Sequence, residues 1–430
     1  MKQLIGIIAD DLTGANDSGV QLTEKGINTS VLFDIPSLGT SLDKGIVIDT
    51  NSRALTEEEA VSVTKQASLF LKEAGYRHIY KKMDSTLRGH IGAELQAAAR
   101  IFEPEFVFIA PAFPSMGRTT KDGIHYVHGV KIAETEISKD PKHPVKDSYI
   151  PRIIETDTGK PAGLISKEDL ESDSVFQEKI SEFKSKGIVY VVSDAETQEQ
   201  LQAAAEKMAA VTTNVIWAGS AGLAEVLPEI LEISEKSASR ELPGSAQVMT
   251  VCGSLSQVTQ QQVRFAREQE NVTSVKLETG EIFGENWNTV REEVEASCLK
   301  GLADGGDLVL YVPSNEKVRD EVKRRGRELG LSSGEIGERI AGAIGALTAD
   351  IAAKSNVSGL VLTGGDIAKA ASRELGGIGF RLIKQVEAGI PLGTIIGTEK
   401  EYTAVTKAGA FGKENSIYKA MLELKGVHVS

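Results

Sequence analysis

Short apolar runs alternate with helix-like patterns along almost all of this 430-residue chain. Leu4 to Ala9 reads as a buried strand, and Thr13 to Gly26 as the helix after it. Ile46-Val47-Ile48 precedes a long helix starting at Thr56, where Thr56 and Glu59 have capping-box spacing. His78-Ile79-Tyr80 is followed by a helix from Gly89 to Ile101, and Phe106 to Ala110 is again a strand. Ile188 to Val192 and Val215-Ile216-Trp217 flank a helix from Thr197 to Ala210. Strands that read as near-continuous apolar runs are covered on both faces, and parallel strands need long, usually helical, crossovers. The pattern therefore predicts an α/β fold of mostly parallel sheets flanked by helices.

The length exceeds one ordinary core. The polar stretch after Ile233 reads as a linker, and the alternation restarts at Val248 to Cys252. We therefore expect an N-terminal domain at 1–233, a linker at 234–245 and a C-terminal domain at 246–430, with an active-site cleft between two α/β domains. Further strands are expected at 275–277, 308–312, 360–362 and 394–396, and a last helix from Ser416 to Leu424. The Pro-, Gly-, Lys- and Thr-rich segment 115–166 breaks the rhythm and suggests a hairpin insertion or a lid.

Charge narrows the partners. The 48 basic and 61 acidic residues give a net charge of −13, which argues against nucleic acid and anionic membranes. No apolar stretch reaches the ~18 residues that span a bilayer, and no signal peptide is expected from Met1-Lys2-Gln3 running straight into a short strand. Two cysteines, Cys252 and Cys298, suggest no disulfide framework. A cytoplasmic location is expected, with both cysteines buried as apolar residues.

The chemistry-bearing residues cluster after predicted strands, where open α/β sheets bind ligands. Asp10-Asp11-Leu12-Thr13-Gly14 follows the first strand. Two adjacent carboxylates there read either as a ligand site or as a solvated turn with one helix-capping Asp. Arg53, in Asp49-Thr50-Asn51-Ser52-Arg53, could fork onto a carboxylate or form a surface ion pair. Lys81-Lys82-Met83-Asp84-Ser85-Thr86-Leu87-Arg88 offers cations for an acid and acceptors for a polyol, or an exposed lysine pair before a capped helix. His125 and His128 lie three apart with no further ligand at zinc-site spacing, so no metal centre is assigned. In the second half, Cys252-Gly253-Ser254, Thr363-Gly364-Gly365-Asp366 and Lys407-Ala408-Gly409-Ala410-Phe411-Gly412 each follow an apolar run. Glycine lets backbone N–H groups approach a phosphate, and a helix N-terminus favours the anion. Neither a Walker A pattern nor a dinucleotide fingerprint is present, so a phosphate site here is of another kind.

Taken in order, these segments resemble the four-carbon acid sugar kinase family over nearly the whole chain. The resemblance runs through Ala9 to Asp17, Asn51-Ser52-Arg53, Lys81 to Gly89, Pro111-Ala112-Phe113-Pro114, Gly253-Ser254, Thr363 to Asp366 and Lys407 to Gly412. It implies an N-terminal sugar-acid-binding domain and a C-terminal nucleotide-binding domain. It implies phosphorylation of the terminal 4-hydroxyl of D-threonate, D-erythronate or a 3-oxo-tetronate by ATP, with Mg²⁺ as MgATP, in sugar-acid catabolism. By motif, Asp10, Arg53, Lys81, Lys82, Met83 and Asp84 would contact the acid, with Asp10 and Asp84 catalytic. Ser254, Thr363, Gly364, Gly365, Asp366 and Gly409 would contact the nucleotide. Asp10 is the expected base. Two positions depart from the family pattern: Ile367 stands where a small hydroxyl residue is expected, and Ala410 where a glycine is common. The competing expectations are a dehydrogenase or lyase on sugar acids, and a non-catalytic sugar-acid sensor. The only partner expected besides substrates is a second copy, a homodimer being the commonest default for soluble enzymes.

Overall fold

The structure, a computed structural model, describes residues 4–36, 42–140, 143–235, 244–314, 316–409 and 411–427. The chain divides into two compact units, 1–238 and 239–430. Of the linker expected at 234–245, residues 236–243 lie outside the described residues, as do Met1-Lys2-Gln3 and Ala410.

The first unit runs β1 (Ile5–Ala9), α1 (Leu12–Glu24), β2 (Thr29–Leu32), β3 (Gly45–Asp49), α2 (Glu57–Glu73), β4 (His78–Lys82), α3 (Ile91–Phe102) and β5 (Phe106–Ala110). It continues through β6 (Arg118–Lys121), β7 (Ile124–Val127), β8 (Val130–Lys131), α4 (Ile150–Thr158), β9 (Ala162–Ile165), α5 (Asp173–Ser185), β10 (Tyr190–Ser193), α6 (Gln198–Val211), β11 (Val215–Gly219) and α7 (Ala221–Ile230). Its main sheet has the order β2-β3-β1-β4-β11-β5-β10-β9, and every pair is parallel. All five residues of β1 are buried, as the apolar run predicts. The chain leaves β1 toward β2 and β3 on one side and then crosses to β4 on the other. That reversal puts the loops after β1, β3 and β4 together at a topological switch point.

The second unit runs β12 (Gln247–Cys252), α8 (Gln257–Arg267), β13 (Val272–Lys276), α9 (Trp287–Ala303), β14 (Asp307–Tyr311), α10 (Glu316–Glu328) and α11 (Ser333–Ala353). Then come β15 (Val357–Thr363), α12 (Gly365–Glu374), β16 (Gly379–Glu387), β17 (Ile390–Ile396), β18 (Thr403–Lys407) and α13 (Ser416–Leu424). The order is β13-β14-β12-β15-β18-β17-β16, parallel as far as β18 and antiparallel beyond it. Its core joins Val248, Val309, Val361 and Val405 from the strands to Ile417, Ala420 and Met421 from α13.

Three strands have no counterpart in the reading of the sequence, β2, β9 and β16, while β18 was noted only as the apolar run leading to Lys407. Ala162–Ile165 is only four residues long, and Gly379–Glu387 is half polar. The irregular segment 115–166 contains an antiparallel three-stranded hairpin array, β6-β7-β8, but also α4 and β9, which returns to the main sheet. Among the described residues no helix is long and apolar enough to cross a membrane.

Candidate functional site

Asp10 and Asp11 follow β1 directly. Asp11 caps α1, its Oδ1 accepting from the Gly14 N–H at 2.9 Å. Arg53 reaches both carboxylates from the short turn after β3. Its Nε donates to Asp10 Oδ2 at 2.8 Å, and Nη1 and Nη2 donate to the two oxygens of Asp11 at 3.0 Å each. One planar fork thus bridges two adjacent carboxylates that would otherwise repel. Asp10 is only 3% exposed. Burial pushes its carboxyl up, but Arg53, Lys81 and Lys82 outweigh this and hold it below the usual range. Its Oδ1 has no hydrogen-bond partner among the described residues.

Successive residues of a strand face opposite sides, so the two lysines that end β4 diverge. Lys81 Nζ lies 2.7 Å from Glu94 Oε2 on α3, with both side chains buried. The same oxygen accepts from Ser52 Oγ at 3.0 Å, which ties the Arg53 turn to α3. Lys82 Nζ donates to the Met83 carbonyl at 2.8 Å and lies against Gly14, where a Cβ would come within 2.8 Å of it. Among the described residues no carboxylate is within ion-pair distance of Lys82. Asp17, one turn after Gly14 on α1, senses that cation. Burial pushes its carboxyl up to about 6, with Lys82 opposing and Asp11 adding.

Asp84 sits in the loop after β4 and accepts from Arg88 Nε at 2.5 Å and Thr86 Oγ1 at 2.6 Å. Burial disfavours its charge, yet Arg53 and Arg88 hold it well below the usual carboxylate range. Gly89 has a φ of +105°, and a Cβ there would lie 3.3 Å from Asp10 Oδ2. A small pocket is walled by Asp10, Lys81, Met83, Arg88, His90 and Glu94. The structure therefore groups Asp10, Arg53, Lys81, Met83 and Asp84, and turns Lys82 to the other face of β4. Glu94 was not singled out in the sequence; Arg88 was read only as one of the cations after the third predicted strand, and Asp17 only as the end of the first resembling segment. His125 is buried against the Ser85 carbonyl (2.9 Å) and Thr120 Oγ1 (3.0 Å), a structural place.

In the second unit the adjacent strands β12, β15 and β18 deliver the three glycine turns. Gly364, with φ +94°, is the N-cap of α12 and donates to the Lys407 carbonyl at 2.9 Å. Asp366 is exposed in the first turn of α12. Thr363 is buried, its Oγ1 without a partner among the described residues. A Cβ on Gly409 would sit 2.3 Å from Ser254 Oγ, so these two segments touch. Ile367 packs on Gly253, where a Cβ would meet its Cγ1 at 2.3 Å. A glycine-capped helix start, an orphaned buried hydroxyl and a cradle that a Cβ would fill suit a phosphate chain. Burial pushes the Cys252 thiol up to about 12, so it is no nucleophile near neutrality.

A sugar-binding N-terminal domain family matches residues 5–227, and a nucleotide-binding C-terminal domain family matches residues 249–417. The chain is 31% identical to a D-threonate kinase of Salmonella typhimurium, over 100% of this chain and 99% of that protein. It is 30% identical to a D-erythronate kinase of Heliobacterium modesticaldum (95% and 94% covered). It is 29% identical to a 3-oxo-tetronate kinase of Haemophilus influenzae (96% and 98% covered). Among solved structures, a protein of Salmonella typhimurium LT2 matches with a TM-score of 0.82 at 26% identity, over 98% of this chain and 99% of that one. A protein of Haemophilus influenzae matches at 0.75 and 28% identity, over 96% and 98%. With both domains matched in order and full-length relatives of this kind, the chain belongs to the four-carbon acid sugar kinase family.

Proposed function

We propose that this enzyme transfers the γ-phosphoryl group of ATP to the 4-hydroxyl of a four-carbon sugar acid, one of D-threonate, D-erythronate or a 3-oxo-tetronate. The observation that carries this reading is Asp10 Oδ1, a buried carboxylate oxygen without a partner among the described residues, in the positive field of Arg53, Lys81 and Lys82. Arg53 uses three of its five N–H donors on Asp10 and Asp11, which leaves two for the substrate carboxylate. Lys81 walls the pocket and, though paired with Glu94, is the lysine placed to meet the acid, while Lys82, on the other face of β4, adds positive field toward Asp10. Met83 walls the pocket, and Asp84 and Asp10 accept hydrogen bonds from the substrate hydroxyls. Asp10, held ionised, takes the hydroxyl proton. Phosphoryl transfer asks more of positioning than of base strength, so a carboxylate below its usual range suffices.

On the second unit, Ser254, Gly364, Gly365 and Gly409 hold the phosphates, with Thr363 Oγ1 free to accept or donate. Mg²⁺ bound with the nucleotide supplies charge neutralisation, and exposed Asp366 orients the nucleotide with its metal. The test is ADP release with ATP and Mg²⁺ against D- and L-threonate, D- and L-erythronate and the 3-oxo-tetronates. ADP formed with one acid supports the reading and names the substrate. Silence across the panel, from protein shown to be folded, overturns it.

A further inference from the structure

The turn after β18 is gripped from inside. Lys407 Nζ donates to the carbonyls of Ala408 at 2.7 Å and Phe411 at 2.9 Å, and lies 3.4 Å from that of Gly409. Thr259 Oγ1 donates to the Gly409 carbonyl at 2.9 Å, joined there by Ser256 Oγ. Gln262 Nε2 donates to the carbonyls of Phe411 at 3.0 Å and Lys413 at 2.7 Å. Thr259 and Gln262 are three apart on α8 and so share one face. A trans peptide that points its carbonyl inward turns the next N–H outward, which here means those of Gly409 and Gly412.

Lys407 is only 3% exposed, and among the described residues no carboxylate lies within ion-pair distance of it. A buried ammonium held only by neutral oxygens keeps its charge uncompensated, directly beneath the outward amides. Oriented amides over a fixed cation form an anion-binding concavity.

We infer that Lys407 is the positioning residue of the nucleotide turn, fixing its carbonyls so that the Gly409 and Gly412 amides and a net positive charge face the nucleotide phosphates. This rests on the reading of the second unit as the nucleotide site. Burial lowers the Lys407 ammonium to about 8, and among the described residues the titratable group facing it is the Cys252 thiol, which stays neutral there. The charge beneath the turn therefore fades as pH rises from 7 to 9.

The experiment is calorimetric titration of the full chain with ADP, alongside steady-state kinetics. Lys407→Met should weaken ADP binding tenfold or more and raise the nucleotide KM alike, with the KM for the acid unchanged. Wild-type ADP affinity should fall from pH 7 to 9, and this slope should vanish in Lys407→Met. Unchanged ADP affinity in the variant, or an unchanged slope, overturns the inference. Failure of the wild type to bind ADP overturns the nucleotide reading itself. Should Lys407→Met not fold, Gln262→Met loosens the same carbonyls without touching the charge. Weaker ADP binding with the wild-type pH slope is then expected, and undiminished binding overturns the inference.

Discussion

Lys81 and Lys82 are equivalent in the sequence and opposite in the structure. Strand alternation separates them, and Glu94 then takes Lys81. That partner could not be read in advance, because it lies on α3 and meets Lys81 only through tertiary packing. Arg53 has a similar history: the sequence left a ligand-binding fork and an ion pair open, and the fold makes it bridge Asp10 and Asp11. That the loops after β1, β3 and β4 come together was legible from their place after strands, but which side chains meet there and who pairs with whom was not. Glu94 also receives Ser52 and stands 3.4 Å from Thr64 Oγ1, so its removal orphans a buried cation and two hydroxyls. Removing one partner of a buried ion pair typically costs about 3–5 kcal/mol. Glu94→Ala should lose stability of that order in chemical denaturation, and Glu94→Gln, which keeps an acceptor, should lose less. A loss under ~1 kcal/mol in Glu94→Ala would mean that water replaces the carboxylate.

At the scale of elements, what was legible had a local signal. The capping box of Thr56 and Glu59 forms as its spacing predicts, and α13 occupies Ser416–Leu424 as expected. β16 failed to stand out because its half-polar residues carry no buried run. The Ile367 departure acquires a physical meaning here. Gly253 has no Cβ, and Ile367 at the start of α12 fills that space, 5% exposed. Close packing of this kind fixes α12, and with it Gly364 and Gly365, against the end of β12. Gly253→Ala would force its Cβ into Ile367, an overpacking that typically costs about 1–3 kcal/mol. It should also raise the nucleotide KM by moving the helix start. Pairing it with Ile367→Ala should restore both, giving a favourable coupling in a double-mutant cycle. Additive losses would show that the two side chains do not compete for one space.

For the molecule as a whole, fold class was legible because alternating βα patterning is dictated by sheet burial at every repeat. Its electrostatics were not, since burial is a property of the finished fold. Burial pushes Asp17 and Asp194 up to about 6. Their ordinary value is 3.8, so between roughly pH 4 and 6 the folded chain binds protons more readily than the unfolded one. Each carboxyl therefore lowers stability near neutrality, and that loss is recovered as pH falls through the window. His125 works the other way: burial lowers it to about 4 from 6.5, so its contribution is present above 6.5 and lost on acidification. Asp10 and Asp84, both depressed, add a loss that sets in only as pH falls below 3.8. The wild-type profile sums opposing slopes, so the informative quantity is a difference. Asp17→Asn carries no charge at any pH and should melt higher than wild type at pH 7. At about 1.4 kcal/mol per pKa unit and about 2–4 °C per kcal/mol, the gap should reach several degrees. It should shrink steadily as pH is lowered from about 6 to 4, followed by scanning calorimetry of both proteins in parallel. A gap that is absent at pH 7, or that widens on acidification, would mean that Asp17 is held ionised by Lys82 and not held high by burial.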